Sequence, residues 1–375
     1  MRTQSSCVRK HLNLVEIQMT TPKNIRIKDI AKMAGVSQGT VDRVLHNRGN
    51  ISASALSKVN EVLEKINYRP NLIARSLVRG ENLKIAVIIP DPELDAYWAE
   101  AQRGISQAQE EWAHYGVLIQ SYYYVHDGNS SLEHSAQEVL KAKPDGVVIA
   151  PLYYQQAVPI LMLLNEKDIP YILFNTNIPE SKSLGFIGQD LYQSGMLAGQ
   201  LMSLDHENHE KLIILNIGKE EDMKDSIYLK EKEQGFKAFF ERNAHYSYTI
   251  ECMDLDHTNP SFEKKVETLI DDKNVKGFFI TTSRAVSTIS SILDQSARKD
   301  IRLIGYDLLE DNLNYLKKGV IRFLINQNPK RQSFLGISHL ANHLLFKKVP
   351  PKMELFPLEI ITQQNIESYI ASAIH

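Results

Sequence analysis

The sequence predicts an α/β chain in two parts: a short all-helical head, then a larger body built on doubly wound parallel sheet. Three observations carry that expectation. Apolar residues near the N-terminus recur at helical spacing around a glycine turn, and beyond residue 83 short apolar runs alternate with longer amphipathic stretches. The charge also changes sign between the two parts. With 375 residues the chain has room for two or three domains.

From Pro22 to Gly80, eleven Lys or Arg stand against four acids, a net +7. Residues 1–21 add +2, so the chain total of −2 leaves −11 on residues 81–375. A compact basic segment on an acidic body points to a polyanionic partner, although a merely solvated basic surface would carry the same charge. No apolar stretch approaches the ~20 residues that span a bilayer, which argues against a transmembrane segment. Cys7 and Cys252 are the only cysteines and stand in no metal-ligand or redox spacing. That usage suits a reducing cytoplasm. Residues 1–22 form an N-terminal arm in which Arg9, Lys10, Asn13 and Glu16 interrupt any signal-peptide core. Nothing in it directs the chain out of the cell. Met19 is a second candidate start, and a short disordered arm is the equal alternative.

Residues 23–69 carry the helical head. Ile27, Ile30, Ala31 and Ala34 follow i, i+3, i+4, i+7, one apolar helix face. Gly35 permits a tight turn, Val36 packs inward, and Ser37 is a good N-cap. The next helix turns Val41, Val44 and Leu45 inward and presents Gln38, Gly39, Asp42 and Arg43 on its opposite face. A third helix begins near Ser52 and is expected to bury Leu56, Val59, Leu63 and Ile66. Two short helices around a Gly-containing turn, with a supporting third, make a helix-turn-helix. Its second helix fits the major groove of DNA. Arg43 has the fork for guanine, and Gln38 the amide for adenine or the reach for phosphate.

Residues 70–82 form a hinge helix and linker. Pro70 stops the preceding helix, Asn71 can cap a new one and Gly80 can end it. The segment Leu72 to Arg79 is shorter than the ~12–15 residues an isolated helix needs. It should therefore order only when DNA and a partner chain hold it.

Residues 83–375 form the body. KIAVIIP (84–90), GVVIAP (146–151), YILFN (171–175), LIILNIG (212–218), GFFITT (277–282) and LIGYD (303–307) suit buried parallel strands. Ligands of such sheets bind outside the strand C-terminal ends. Those ends carry Asp91, Pro151, Asn175, Thr282 and Asp307, with Gln327 later in the chain, and Tyr97 and Trp98 are available to stack. The polar ring suits a small hydroxylated molecule.

The run IKDIAKMAGVSQGTVDRVLHNRGNISASALSKVNEVLEKINYRPNLIARSLVRG resembles the DNA-binding head of the LacI/GalR repressor family, from first helix to hinge without a gap. The resemblance implies a DNA-binding set of Ser37, Gln38, Gly39, Thr40 and Arg43 in the head and Asn71, Ala74, Arg75 and Leu77 in the hinge. Leu77 matches the family's minor-groove wedge, which kinks the duplex; packing on the body is its alternative. Gly39 departs from the longer side chain often found there, and Asp42 replaces a common Ser. From Leu83 the chain resembles the type I periplasmic-binding-protein fold of the ribose-binding kind. That implies two lobes closing on a ligand, one near 83–189 and 328–356, the other near 190–327 and 357–375. Carried over by motif, the ligand set is Tyr97, Trp98, Asn175, Lys230, Lys232, Thr282, Asp307 and Gln327. Asn175 stands where many sugar-binding members have Asp, Lys230 and Lys232 where Arg is common, and Thr282-Ser283-Arg284 where an Asn-Asp pair is usual.

Catalysis finds little support. The sequence has no P-loop and no G-x-S-x-G elbow. His206 and His209 lie i, i+3 in the polar segment DHENHEK, which suits a solvated loop or helix end better than a metal site. Asp91, Glu93 and Asp95 follow a strand and are better placed to rim a cleft than to do acid–base work. No enzyme activity, cofactor or metal is expected. A free solute-binding protein is opposed by the basic head, and a sugar-modifying enzyme by the missing nucleophile or base motif. The favoured reading is a cytoplasmic, homodimeric repressor that binds a pseudo-palindromic double-stranded DNA operator under control of a small carbohydrate-like effector.

Overall fold

A computed structural model describes residues 27–45, 51–65, 82–125, 131–204, 210–243 and 247–373. The chain divides into two compact units, Met1–Val78 and Arg79–His375. The arm, His206, His209 and the hinge residues Asn71, Ala74, Arg75 and Leu77 lie outside the described residues.

In the first unit, α1 (Ile27–Ala34), α2 (Gln38–Leu45) and α3 (Ala53–Lys65) surround a small core. Ile30, Ala31, Ala34, Val41, Val44 and Val59 are buried, with Ile27, Val36, Leu45 and Leu63 packed against them. Gly35 takes φ +64°, and Val36 N–H donates to Ala31 O at 3.0 Å to close the end of α1. Leu56, expected inside, is 40% exposed. Val59 is fully buried and Val62 and Leu63 pack against the core, so the inward face of α3 begins a turn later than Leu56. Ile66 lies outside the described residues.

The second unit contains two six-stranded sheets. The chain first runs β1 (Leu83–Pro90), α4 (Ala96–Ala113), β2 (Val117–Tyr124), α5 (Leu132–Ala142), β3 (Gly146–Ile149), α6 (Tyr154–Glu166), β4 (Tyr171–Phe174) and β5 (Gly185–Gly188). It then crosses into α7 (Leu191–Met202), β6 (Glu210–Ile217), α8 (Glu220–Asp225), α9 (Ile227–Arg242), β7 (Tyr248–Leu255) and α10 (Phe262–Asp271). After these come β8 (Val275–Ile280), α11 (Val286–Gln295), β9 (Arg302–Tyr306), α12 (Glu310–Lys317) and β10 (Phe323–Asn326). The chain returns through α13 (Pro329–Phe346) and β11 (Met353–Leu355), and ends with β12 (Glu359–Ile361) and α14 (Ile366–Ala373). Strand order is β11-β5-β4-β3-β1-β2 in one sheet and β12-β10-β9-β8-β6-β7 in the other. The pairings are parallel except β10 with β12.

Both faces of each sheet are covered, which is why central strands are unbroken apolar runs. In β1, Ile85, Val87 and Ile89 pack under α4 and α13, while Ala86 and Ile88 face α5 and α6. In β6, Ile213 and Leu215 join α10 and α11, while Leu212 and Ile214 meet α7 and α9. Trp112 Nε1 donates to Ser338 Oγ at 3.1 Å, tying α4 to α13. The edge strands β2 and β7 went unanticipated because their side chains are largely half-buried or exposed. They lack the continuous apolar signature of the centre.

Three crossovers join the lobes, and one buried side chain ties them together. Gln189 Nε2 donates to Asn326 O at 2.8 Å and to Pro357 O at 2.9 Å. Residues at all three crossovers thus meet on a single amide.

Candidate functional site

Two surfaces carry the chemistry, one in each unit. In the head, Ser37 Oγ accepts from Thr40 N at 3.1 Å and lies 2.9 Å from the Thr40 hydroxyl, capping α2. This satisfies a donor that a helix start otherwise leaves orphaned. The cap aims the first turn of α2 outward. Gln38, Gly39 and Arg43 are exposed, while Thr40 and Asp42 are half-buried. A Cβ at Gly39 would meet only Ser37 Oγ, at 3.8 Å. Packing therefore does not demand glycine there; the missing side chain is a property of the outward face.

The second surface is the cleft between the two sheets of the body. From one side, the start of α4 contributes Tyr97 and Trp98, and the segments after β3 and β4 contribute Tyr153 and Asn175. From the other come Tyr228 and Lys232 of α9, Thr282 to Arg284 after β8, and Gln327 after β10. These are ends of parallel strands and starts of helices, where such folds place ligands.

The floor is a buried polar chain. Asp307 is 1% exposed, with φ +66°, a left-handed conformation Asp tolerates better than most side chains. Its Oδ1 accepts from Gln327 N at 3.0 Å, and its Oδ2 from Gln327 Nε2 at 2.7 Å. Gln327 Oε1 in turn accepts from Lys232 Nζ at 3.2 Å, which also donates to Thr281 O at 3.0 Å. The ammonium lies 3.5 Å from the Tyr306 ring centroid, a cation–π contact. Close helix packing sets this depth. Cβ atoms at Gly195 and Gly235 would stand 2.1 Å from Lys232 O and 2.0 Å from Tyr192 O, so only glycine lets α7 and α9 approach. Burial raises the Asp307 carboxyl above its ordinary range, opposed by the Gln327 hydrogen bonds and the Lys232 charge. Burial lowers the Lys232 ammonium, opposed by Asp307.

On the opposite wall, Asn175 Nδ2 donates to Tyr97 Oη at 2.6 Å and its Oδ1 accepts from Thr176 Oγ1 at 3.0 Å. Burial raises the Tyr97 hydroxyl, helped by the Asp307 charge. Trp98 is 3% exposed and packs edge-on to Tyr97 and Phe174, so most of its ring belongs to the core. At the mouth, Asp95 and Arg284 pair across the cleft: Arg284 Nη2 and Nε reach Asp95 Oδ2 at 2.9 and 3.3 Å.

Of the ligand set expected from sequence, the structure brings Tyr97, Trp98, Asn175, Lys232, Thr282 and Gln327 to the cleft lining, with Asp307 directly behind Gln327. It does not bring Lys230. That side chain is exposed and its Nζ donates to Lys224 O at 2.6 Å. Two positions along a helix turn a side chain through about 200°, so Lys230 and Lys232 cannot share a face. Asp91, also expected at the strand ends, accepts from Glu93 N at 2.9 Å in a local turn instead. Asp95 stands at the cleft, where it was expected to form part of the rim, but its pairing with Arg284 was not anticipated, nor was the presence of Tyr153 and Tyr228 in the lining. The one available signal was the i, i+4 spacing of Tyr228 and Lys232 on α9.

The two units thus define a class of architecture, a helix-turn-helix head with a two-lobed body whose polar cleft lies at its strand ends. Residues 85–348 match the periplasmic binding protein domain family and residues 26–71 match the bacterial regulatory proteins of the lacI family. The chain belongs to the periplasmic binding protein domain family over its body and carries a lacI-family regulatory domain at its head. It is 33% identical to the HTH-type transcriptional regulator MalR of Streptococcus pneumoniae over 176 residues, 46% of this chain and 51% of that protein. The match therefore spans about half the length of that relative. It is 27% identical to catabolite control protein A of Priestia megaterium over 76% of this chain and 82% of that one. Among solved structures, a Bacteroides fragilis protein assigned to the LacI transcriptional regulators superposes with TM-score 0.71 at 29% identity, over 77% of this chain and all of that one. An ABC transporter solute-binding protein from Burkholderia graminis, in complex with D-arabinose, has TM-score 0.67 at 19% identity, over 77% of this chain and 98% of that one. That second likeness shows the fold alone. No helix among the described residues is long and apolar enough to cross a membrane.

Proposed function

We propose that this protein is a sequence-specific DNA-binding transcription regulator of the repressor kind. Its operator affinity is controlled by a small polar, carbohydrate-like effector bound between the lobes of the body. The observation that carries this reading is the presence on one chain of an outward face with Gln38 and Arg43 on a capped helix and a polar interlobe cleft built on Asn175, Lys232 and Gln327. The first surface suits base edges in the major groove; the second suits hydroxyl groups. The protein acts in the cytoplasm as a homodimer on a pseudo-palindromic double-stranded site, with Asn71, Ala74, Arg75 and Leu77 of the hinge contacting DNA beside the head. Effector binding changes the population of the DNA-competent state, coupling the two sites. The lacI-family match over residues 26–71, together with similarity to MalR and catabolite control protein A, supports regulation over simple solute carriage.

Selection of binding sites from a random duplex library, followed by fluorescence anisotropy, tests the DNA half. Arg43→Ala should weaken the selected site by about 1–3 kcal/mol and relax preference at one base position. An equal loss on every duplex would refute base reading by Arg43. If no sequence were enriched at all, the regulator reading itself would fall.

A further inference from the structure

The cleft contains one charge pair that the floor does not explain. Asp95 and Arg284 come from opposite lobes, and their side chains are 12% and 34% exposed. The two carboxylate oxygens of Asp95 do different work. Oδ1 accepts from Tyr97 N at 2.9 Å as the N-cap of α4, so it is committed to the helix. Oδ2 alone receives Arg284, from both Nε and Nη2. A guanidinium presents two parallel donors that match two carboxylate oxygens side by side. Asp95 offers a single oxygen, so the fork-to-fork pairing is unmade.

We propose that the effector is a sugar acid whose carboxylate takes Arg284 from Asp95. This rests on the reading of the interlobe cleft as the effector site and narrows its ligand class. A free carboxylate has both oxygens to give, and so makes the bidentate pair that the helix-capping Asp95 does not. Asp95 is left with its cap and with the positive end of an 18-residue helix, a site that favours negative charge. The other cation of the cleft, Lys232, is already held by Thr281 O, Gln327 and the Tyr306 ring, which leaves Arg284 to read the acid. Tyr97 and Tyr228 supply aromatic surface for a sugar ring between floor and mouth. Asp95 thus acts as an internal stand-in for the ligand's carboxylate and sets a threshold that a neutral sugar does not overcome by charge.

Isothermal titration of the full chain with D-glucuronate and D-galacturonate, against D-glucose and D-galactose at matched ionic strength, tests this. At least one uronate should bind about tenfold or more tightly than its neutral parent, as expected for charge-assisted bonds. Arg284→Gln should weaken uronate binding by far more than neutral-sugar binding, and so remove that preference. Arg284→Lys, which keeps the charge but loses the fork, should retain only part of it. Asp95→Asn keeps a capping side chain and removes the competing charge, so uronate affinity should rise. Equal affinity for acid and parent, an equal loss of both in Arg284→Gln, or weaker uronate binding in Asp95→Asn would each overturn the sugar-acid assignment while leaving the cleft as a carbohydrate site. Binding of none of the four would overturn the cleft reading with it. Thermal melts of each variant without ligand establish that it is folded.

Discussion

The floor and the mouth of the cleft both pair an acid with a base, under opposite physical conditions. At the floor, Lys232, Gln327 and Asp307 belong to one lobe, are at most 6% exposed, and meet through a single amide with a donor and an acceptor in use. Low local dielectric strengthens each of those bonds and makes a missing partner costly. At the mouth, Asp95 and Arg284 belong to different lobes and Arg284 is about a third exposed. Solvent screens that pair, and separating the lobes breaks it without stranding either group in an apolar interior. A binding protein of this kind needs a preorganised half that holds its geometry through opening and closing, and a second half that can be remade. The floor supplies the first and the mouth the second.

The largest effect that would break this contrast is at the bridging amide. Gln327→Leu removes the shared partner of a buried carboxylate and a buried ammonium, and should lower stability by about 3 kcal/mol in urea unfolding. A loss below about 1 kcal/mol would mean that water or a shift of Lys232 replaces the amide, and the floor would be no more rigid than the mouth.

A smaller effect separates burial from pairing through pH. The folded carboxyl of Asp307 titrates above its unfolded value, so the folded state takes up its proton first as pH falls. Protonation then stabilises the fold, and that contribution is lost as pH rises through the folded value. Lowering pH from neutrality towards the ordinary carboxylate range should therefore raise the stability of the native sequence relative to Asp307→Asn. A flat difference between the two unfolding series would show that the Gln327 bonds and the Lys232 charge offset burial, and a fall towards acid that they outweigh it.

The legibility of these features in the sequence follows their local or distributed character. LIGYD and YILFN announce Asp307 and Asn175 because a buried parallel strand ending in one polar residue is a contiguous pattern. The head was legible for the same reason, since Ile30, Ala31, Ala34, Val41 and Val44 form a periodic stripe broken by Gly35. Edge strands β2 and β7 were not, because pairing on one side only removes the apolar continuity. Nor was the Asp95–Arg284 pair, whose members lie 189 positions apart and meet across the cleft from opposite lobes. Lys230 shows the opposite failure. A motif match carries a residue type to a position, while helix phase decides which of two neighbouring lysines points into the cleft.

The smallest effect bears most directly on the mouth, because Asp95 does two things that substitution can separate. Asp95→Ala removes both the cap on Tyr97 N and the partner of Arg284, and should lower stability by about 1 kcal/mol, the usual cost of losing a good N-cap. Asp95→Asn keeps an acceptor for Tyr97 N and removes only the charge, so its cost should stay within the ~0–1 kcal/mol of a solvent-screened pair. If the two variants fall together, the cross-lobe pair dominates the cap, and closure without ligand is a stable state rather than a threshold that a ligand's carboxylate can displace. If Asp95→Asn sits near the native sequence in chemical unfolding, the mouth is the weak half of the cleft that its exposure implies.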